Sequence, residues 1–412
     1  MDTVDPQTAG FSPARLARIR PFLQGYIDRG QYAGIITLIA RRDRVVHLEC
    51  VGLADREAGR PMRPDTILRI YSMSKPITAV AALMLFEEGR FLLTDPLSRY
   101  IPEFRDTAVA VPRDGAPEAL PAGEIPPYDL EPARREITVR DLFTHTSGLS
   151  YPNPLGSPAE RLLAQAFAGP GRPPLTLAEW IPELTRVPLS CHPGTRFQYG
   201  FSTDVLGRLV EVLSGQTFDA FLQERIFGPL GMADTAFSVP PDRLDRFSAM
   251  YMPGEQGSLE LVDPPTGAYS RPPAFCSGGG GLVSTTGDYL RFCQMLLNGG
   301  ELDGVRLLGR KTVELMTMNH LPPPPLPSSF GGDQYDGGYG HGLGVRVLLD
   351  VARSGLPGSP GEYGWAGLAG TYFWIDPREE MIGLFMPQLA PRPGVEYGAA
   401  LQFRVLAYQA LE

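Results

Sequence analysis

The run Ile35-Ile36-Thr37-Leu38-Ile39 is apolar and rich in β-branched residues, and after the charged cluster Arg41-Arg42-Asp43-Arg44 the apolar pattern resumes in Val45-Val46-His47-Leu48. This predicts two strands joined as an antiparallel hairpin. From Ser72 the period changes: Ile77, Val80, Ala81, Met84 and Leu85 fall at i, i+3, i+4, i+7 and i+8, with Pro76 in the first turn and Gly89 as the stop. A buried amphipathic helix opening at Ser72 follows.

Segments 106–136 and 150–175 lack a clear period and read as long surface excursions of the kind that wall pockets or simply connect. Between them Thr138–Phe143 reads as a short helix ending near Gly148. Helical spacing returns at 203–214, 217–227 and Asp288–Asn298. The prolines of 322–327 and the glycines from 331 to 344 mark a long loop before two strands, Leu343–Leu349 and Thr371–Ile375, and a closing helix near 397–410. The expected fold class is α+β: an antiparallel sheet flanked by helices and built from both chain ends around a mostly helical insert. The corresponding division is 1–100 and 271–412 for the two parts of the α/β domain and 101–270 for the helical domain. No repeat of fixed period occurs.

At 412 residues the chain can bury a full core, and 43% hydrophobic with 20% charged residues suits a globular enzyme. A net charge of −9 argues against nucleic acid or an anionic membrane as partner. No basic segment followed by an apolar run opens the chain and no stretch of 18 apolar residues occurs, so a cytoplasmic protein is expected. Cys50, Cys191, Cys276 and Cys293 form no C-x-x-C pair and the five histidines form no H-E-x-x-H pattern, which points away from a metal and toward free thiols. Oligomeric state leaves no mark in the sequence.

The chain has two lysines, and the other 35 of its 37 basic residues are arginine. One of the two, Lys75, stands three residues after Ser72 in Ser72-Met73-Ser74-Lys75. Residues three apart on a helix share a face, so the hydroxyl and the amine can touch. A desolvated lysine can accept a proton where an arginine cannot. The helix N-terminus favours an oxyanion beside Ser72 and opposes an ammonium there.

A serine nucleophile also needs a proton donor for the leaving group and an oxyanion site. Tyr199, after Cys191-His192-Pro193-Gly194, offers a phenol; alone it is one of 16 tyrosines and reads as structural. Trp365-Ala366-Gly367 precedes the late strand and offers a glycine edge against which a substrate can lie. Lys311-Thr312-Val313 leads into a helical pattern and reads as an exposed helix start. Gly278–Gly281 lacks the following Gly-Lys-Ser/Thr of a phosphate loop and reads as a tight bend beside the pocket. His145, among Thr144, Thr146 and Ser147, reads as a hydrogen-bonded structural residue rather than a triad base. No G-x-S-x-G elbow is present, against an ordinary α/β-hydrolase. Trp180 and Tyr151 read at least as well as core or surface packing as they do as residues facing the substrate.

Five segments occur in a specific order: Ala54–Gly59, Ser72–Lys75, Thr144-His145-Thr146-Ser147-Gly148-Leu149, Pro193-Gly194 before Tyr199, and Gly279–Thr285. Together with Trp365-Ala366-Gly367 they resemble the class C β-lactamase and penicillin-binding-protein-like serine hydrolases, most closely the family VIII carboxylesterases. The resemblance covers nearly the whole chain. It implies Ser72 as nucleophile, Lys75 and Tyr199 as a coupled base and proton relay, and the backbone N–H groups of Ser72 and Leu368 as the oxyanion hole, without a cofactor.

Where the lactamases carry Lys-Thr-Gly this chain has Trp365-Ala366-Gly367, and where they carry Tyr-x-Asn it has Tyr199-Gly200-Phe201. A cation suited to a substrate carboxylate and an amide suited to an acylamide chain are thus replaced by aromatic groups. With Trp365, Ala366, Gly367 and Phe201 against the substrate, an apolar pocket for small-molecule esters is expected, with weak or no β-lactam hydrolysis. The alternatives on the same Ser/Lys/Tyr site are a β-lactamase or D-alanyl peptidase and an acyltransferase; a non-catalytic binding protein is the alternative of another class.

Overall fold

The computed structural model describes residues 2–113, 115, 120–167, 174–322, 337–391 and 398–412. Its centre is an eight-stranded antiparallel sheet in the order Tyr339–His341, Arg346–Leu348, Tyr363–Ala366, Tyr372–Asp376, Met381–Pro387, Gly34–Arg41, Arg44–Asp55, Arg60–Pro61. The two chain ends meet where Gly34–Arg41 pairs with Met381–Pro387, Ile35 opposite Pro387 and Arg41 opposite Met381. The hairpin expected from the first apolar run is present, and Arg42 and Asp43 turn it with φ of 51° and 59°, the left-handed pair of a two-residue hairpin loop.

Every residue of Gly34–Arg41 is buried, because helices cover both sheet faces. Ile36, Leu38 and Ala40 point into the core shared with the helical layer, and Ile35 and Ile39 into a second core under the Ile19–Asp28 and Ala399–Tyr408 helices. A strand covered twice reads as a continuous apolar run, which is why it is legible without alternation.

The helix expected from Ser72 begins two residues later, as Ser74–Glu87, preceded by a 3-10 turn over Tyr71–Met73 that holds the serine. It is buried on all sides from Ser74 through Leu85, not amphipathic, since it packs on the Ser202–Ser214 helix and shares one core with the sheet residues Ile36, Leu38 and Leu384. The expected helices at 203–214, 217–227 and 288–298 appear at Ser202–Ser214, at Phe218–Leu222 running through a π-turn to Leu230, and at Thr286–Leu297. The short helix after Thr138 is Val139–Phe143, with Thr138 and Asp141 forming its capping box.

Several boundaries differ from the sequence reading. The 106–136 excursion contains a two-stranded ribbon, Ala108–Pro112 on Tyr128–Pro132, whose second strand is largely exposed and so carries no apolar period. The 150–175 excursion contains the Pro158–Phe167 helix. The strand expected at Leu343–Leu349 is shorter, Arg346–Leu348, and forms a hairpin with Tyr339–His341; Gly344 at φ 86° serves the bend between them. Trp365 and Ala366 do precede the late strand, Tyr372–Asp376, and also end a strand of their own, Tyr363–Ala366, that pairs with it. The proline run beyond Pro322 lies outside the described residues.

Candidate active site

Two strained or tightly tied residues place Ser72. Arg69 is fully buried, donates to Ser248 O (2.7 Å) and pairs with Asp263 (2.8 Å), while Gln388 holds both its backbone N–H and its carbonyl. Tyr71 then takes φ 40°, a conformation that costs a non-glycine residue about 1–3 kcal/mol and recurs beside reacting groups. The chain so bent presents the Ser72 side chain to open space at the start of the buried helix.

The Ser72 hydroxyl oxygen accepts from the Tyr199 O–H at 2.9 Å and from Lys75 Nζ at 3.1 Å. Lys75 Nζ also donates to Tyr151 Oη (3.2 Å) and to Gly279 O (2.6 Å), so with Ser72 three acceptors surround it. It meets Tyr199 through the ring face, 4.6 Å from the centroid, and is linked to the Tyr199 oxygen through Ser72. The Gly278–Gly281 bend stands beside the site as its sequence suggests.

Asp204, on the Ser202–Ser214 helix, was not distinguished in the sequence. Its Oδ1 accepts from Gly279 N–H (3.0 Å) and from Ser277 Oγ (2.5 Å), and burial raises its carboxyl pKa against the opposing effect of Ser277 and Lys75. Burial likewise pushes the Tyr151 phenol well above its ordinary range, reinforced by Asp204 and Tyr199. Tyr151 is therefore a neutral acceptor for Lys75 at ordinary pH. Sequence left it undecided between core and cleft; it is both, edge-on to Tyr199 and Phe201 and open to the cleft.

His145 does not approach Ser72. It is buried behind Tyr199, ring centroids 4.8 Å apart, and packs on Phe197 and His341. Burial, with His341 and Lys75 adding to it, holds its imidazole well below the ordinary range, hence neutral. The structural reading holds, but by ring packing: Thr144 and Thr146 bond each other and Asp141 instead. Lys311 lies on an exposed helix start, paired with Glu314 at 2.5 Å.

Two clefts meet at Ser72, and both include Ser72, Tyr199 and Leu368 in their walls. The first, about 750 Å³, is walled by Tyr71, Tyr151, Phe237, Tyr269 and Phe275, with Asn153 and Glu160 among its polar groups. The second, about 570 Å³, runs past Trp365, Ala366 and Gly367 to Leu389, Leu401 and Arg346. Leu368 follows the strand end and is 53% exposed between them. Phe201, expected against the substrate, stands behind Tyr151, edge-on to Trp180 at 4.9 Å, and is not among the residues walling either cleft. A one-residue step along the chain from Gly200, itself packed against Leu149 and Ser150, turns its ring into the helical layer.

No helix among the described residues is long and apolar enough to cross a membrane. A family model described as Beta-lactamase matches residues 19–407. The chain is 38% identical over 380 residues to protein Rv1367c of Mycobacterium tuberculosis, covering 91% of this chain and 90% of the relative. It is 31% identical over 394 residues to esterase EstB of Burkholderia gladioli, covering 91% of each. Among solved structures it is similar to EstCE1, described as a hydrolase with promiscuous acyltransferase activity, at a TM-score of 0.79 and 27% identity over 96% of this chain and 99% of that one. A serine bonded to a lysine and a tyrosine at the meeting point of two clefts, on a sheet closed by both chain ends, thus accompanies sequence similarity over nearly the full length: the chain belongs to the Beta-lactamase family and is a serine hydrolase.

Proposed function

We propose that this protein is a carboxylesterase that cleaves short-to-medium acyl esters through an acyl-enzyme on Ser72. The observation that carries the reading is the Ser72 oxygen bonded by Tyr199 O–H and Lys75 Nζ, at the junction of two clefts walled mainly by apolar and aromatic groups. Ser72 attacks the ester carbonyl, and its proton passes to the Lys75/Tyr199 unit. The oxyanion faces the N–H groups of Ser72 and Leu368. Tyr199 protonates the departing alkoxide, and water repeats the sequence to release the acid. Trp365, Ala366 and Gly367 guide one half of the ester along the second cleft. Residues 1–100 and 271–412 supply the sheet side of the site, and 101–270 the helical side.

β-Lactams are poor substrates on this reading, because Trp365 replaces a lysine and Phe201, turned inward, replaces an amide. The second cleft also admits an alcohol in place of water, and the similarity to EstCE1 favours acyl transfer as a side reaction. The test is kcat/KM for a p-nitrophenyl acyl ester series beside a chromogenic cephalosporin, with Ser72→Ala as blank. Ester turnover far above lactam turnover, both lost in the variant, is the expected outcome. The reverse ranking overturns the esterase assignment, and a full rate in Ser72→Ala overturns the nucleophile.

A further inference from the structure

The second cleft contains a cation that the ester reading alone does not use. Arg346 opens the strand Arg346–Leu348 and lies opposite Gly364, so it projects from the sheet face that carries Ala366 and Tyr372, the reverse of the face from which Trp365 meets Tyr199. The cleft therefore begins at Ser72 and Tyr199, passes over the Ala366–Leu368 strand end, and reaches the guanidinium on the other side. Its walls between are Leu389, Ala400 and Leu401.

Arg346 is half-buried and fixed from below. Its guanidinium sits 4.2 Å over the Tyr339 ring centroid, and one Nη donates to Tyr372 Oη at 3.2 Å. Among the described residues no carboxylate lies within ion-pairing distance of it. The nearby acids are engaged elsewhere: Glu362 pairs with the fully buried Arg404 at 2.6 Å and accepts from Tyr408, and Asp376 accepts from Tyr408 and from the amides of Arg378 and Glu379. Arg346 thus keeps most of its five donors, in a planar fork suited to a carboxylate, at the end of an otherwise apolar channel.

We propose that Arg346 recognises a carboxylate on one half of the substrate ester, so that the enzyme prefers esters of hydroxy acids or half-esters of diacids over their neutral counterparts. This rests on the ester-cleaving reading of Ser72. It adds a cation to the more apolar pocket expected from the sequence: Trp365 stands where the lactamases carry a lysine, and Arg346 stands further along, on the opposite face of the sheet.

The test uses two matched pairs. Phenyl acetate and m-carboxyphenyl acetate place the acid on the alcohol half; p-nitrophenyl hexanoate and the mono-p-nitrophenyl ester of adipic acid place it on the acyl half. Wild type should favour the acidic member of one pair, by a margin that shrinks as salt is raised. Arg346→Gln should lower kcat/KM for that member about 10- to 100-fold, mainly through KM, and leave its neutral partner within about twofold; Arg346→Lys should recover part of the loss. Equal losses on acidic and neutral esters would assign Arg346 to structure and overturn the proposal. So would a wild type that prefers the neutral member of both pairs, a readout that stands even if the variant does not fold. Failure of the ester reading itself is distinct, because wild type would then turn over neither neutral ester.

Discussion

Asp204 and Lys75 hold the same glycine from opposite ends: Asp204 Oδ1 accepts the Gly279 N–H at 3.0 Å, and Gly279 O accepts from Lys75 Nζ at 2.6 Å. A buried carboxylate is costly unless it is bonded and balanced, and here Ser277, Gly279 and the nearby lysine supply both. The groups facing Lys75 are Ser72, Tyr151, Tyr199, the Gly279 carbonyl, the Asp204 carboxylate behind it and the neutral His145.

Asp204→Asn keeps an oxygen for Ser277 and Gly279 and removes the charge. With those bonds kept, kcat/KM on an activated ester should fall by less than about tenfold, whereas Asp204→Ala, which releases Gly279 as well, should cost more. Equal losses in the two variants would assign the effect to the charge rather than to the hydrogen bonds that hold Gly279.

The two phenols near Lys75 should separate kinetically. Tyr199→Phe removes the donor to Ser72 and should lower kcat by about 10²–10⁴, the usual range for a positioned acid–base group. Tyr151→Phe leaves Lys75 with two of its three acceptors and should cost under about tenfold. Steady-state rates on one activated ester decide it, and a larger loss in Tyr151→Phe would exchange the two roles.

Gly367→Ala tests the loop that carries Leu368. A Cβ at Gly367 would fall inside contact distance of Ile70 O and Thr371 Oγ1, and Ile70 is two residues before Ser72. The loop must shift, and a displacement near 1 Å at a reacting centre costs on the order of 10²-fold. kcat/KM should fall by about that factor, together with about 1–3 kcal/mol of stability from overpacking. Retained activity would mean that the Leu368 amide does not bind the oxyanion.

His47 should make stability depend on pH. Its ring is buried in the sheet against Thr37 Oγ1 (2.9 Å), and burial lowers its pKa from 6.5 to about 4. Above pH 6.5 the imidazole is neutral in both folded and unfolded chains. As pH falls from 6.5 toward 4 the unfolded chain takes up a proton that the folded one resists, so stability is lost across that window, up to roughly 3 kcal/mol. His47→Gln should flatten urea midpoints plotted over this range; an unchanged slope would place the titration elsewhere.

The sequence by itself determined the parts whose signal is local. Ser72 and Lys75 are joined by helical spacing, the first hairpin and the main helices by their periods, and the family by the order of short segments. These survive in one dimension because hydrogen-bond ladders and i, i+3 neighbours are set over a few residues. Where burial was wrong for a local rule, the reading slipped: the exposed strand Tyr128–Pro132 has no alternation, and the all-round burial of Ser74–Leu85 exceeds what an amphipathic pattern implies.

Tertiary structure alone decided which of the isolated residues join the site. Tyr151, Asp204 and Gly279 lie 76, 129 and 204 positions beyond Lys75, and only chain folding brings a phenol, a carboxylate and a carbonyl around one lysine nitrogen. The same holds for Arg346, whose strand pairing sets the sheet face from which it enters the second cleft, and for Phe201, adjacent in sequence to the site yet turned into the helical layer. Chain proximity fixes where a backbone goes over a few residues; direction and burial of a side chain depend on what the rest of the molecule packs against it.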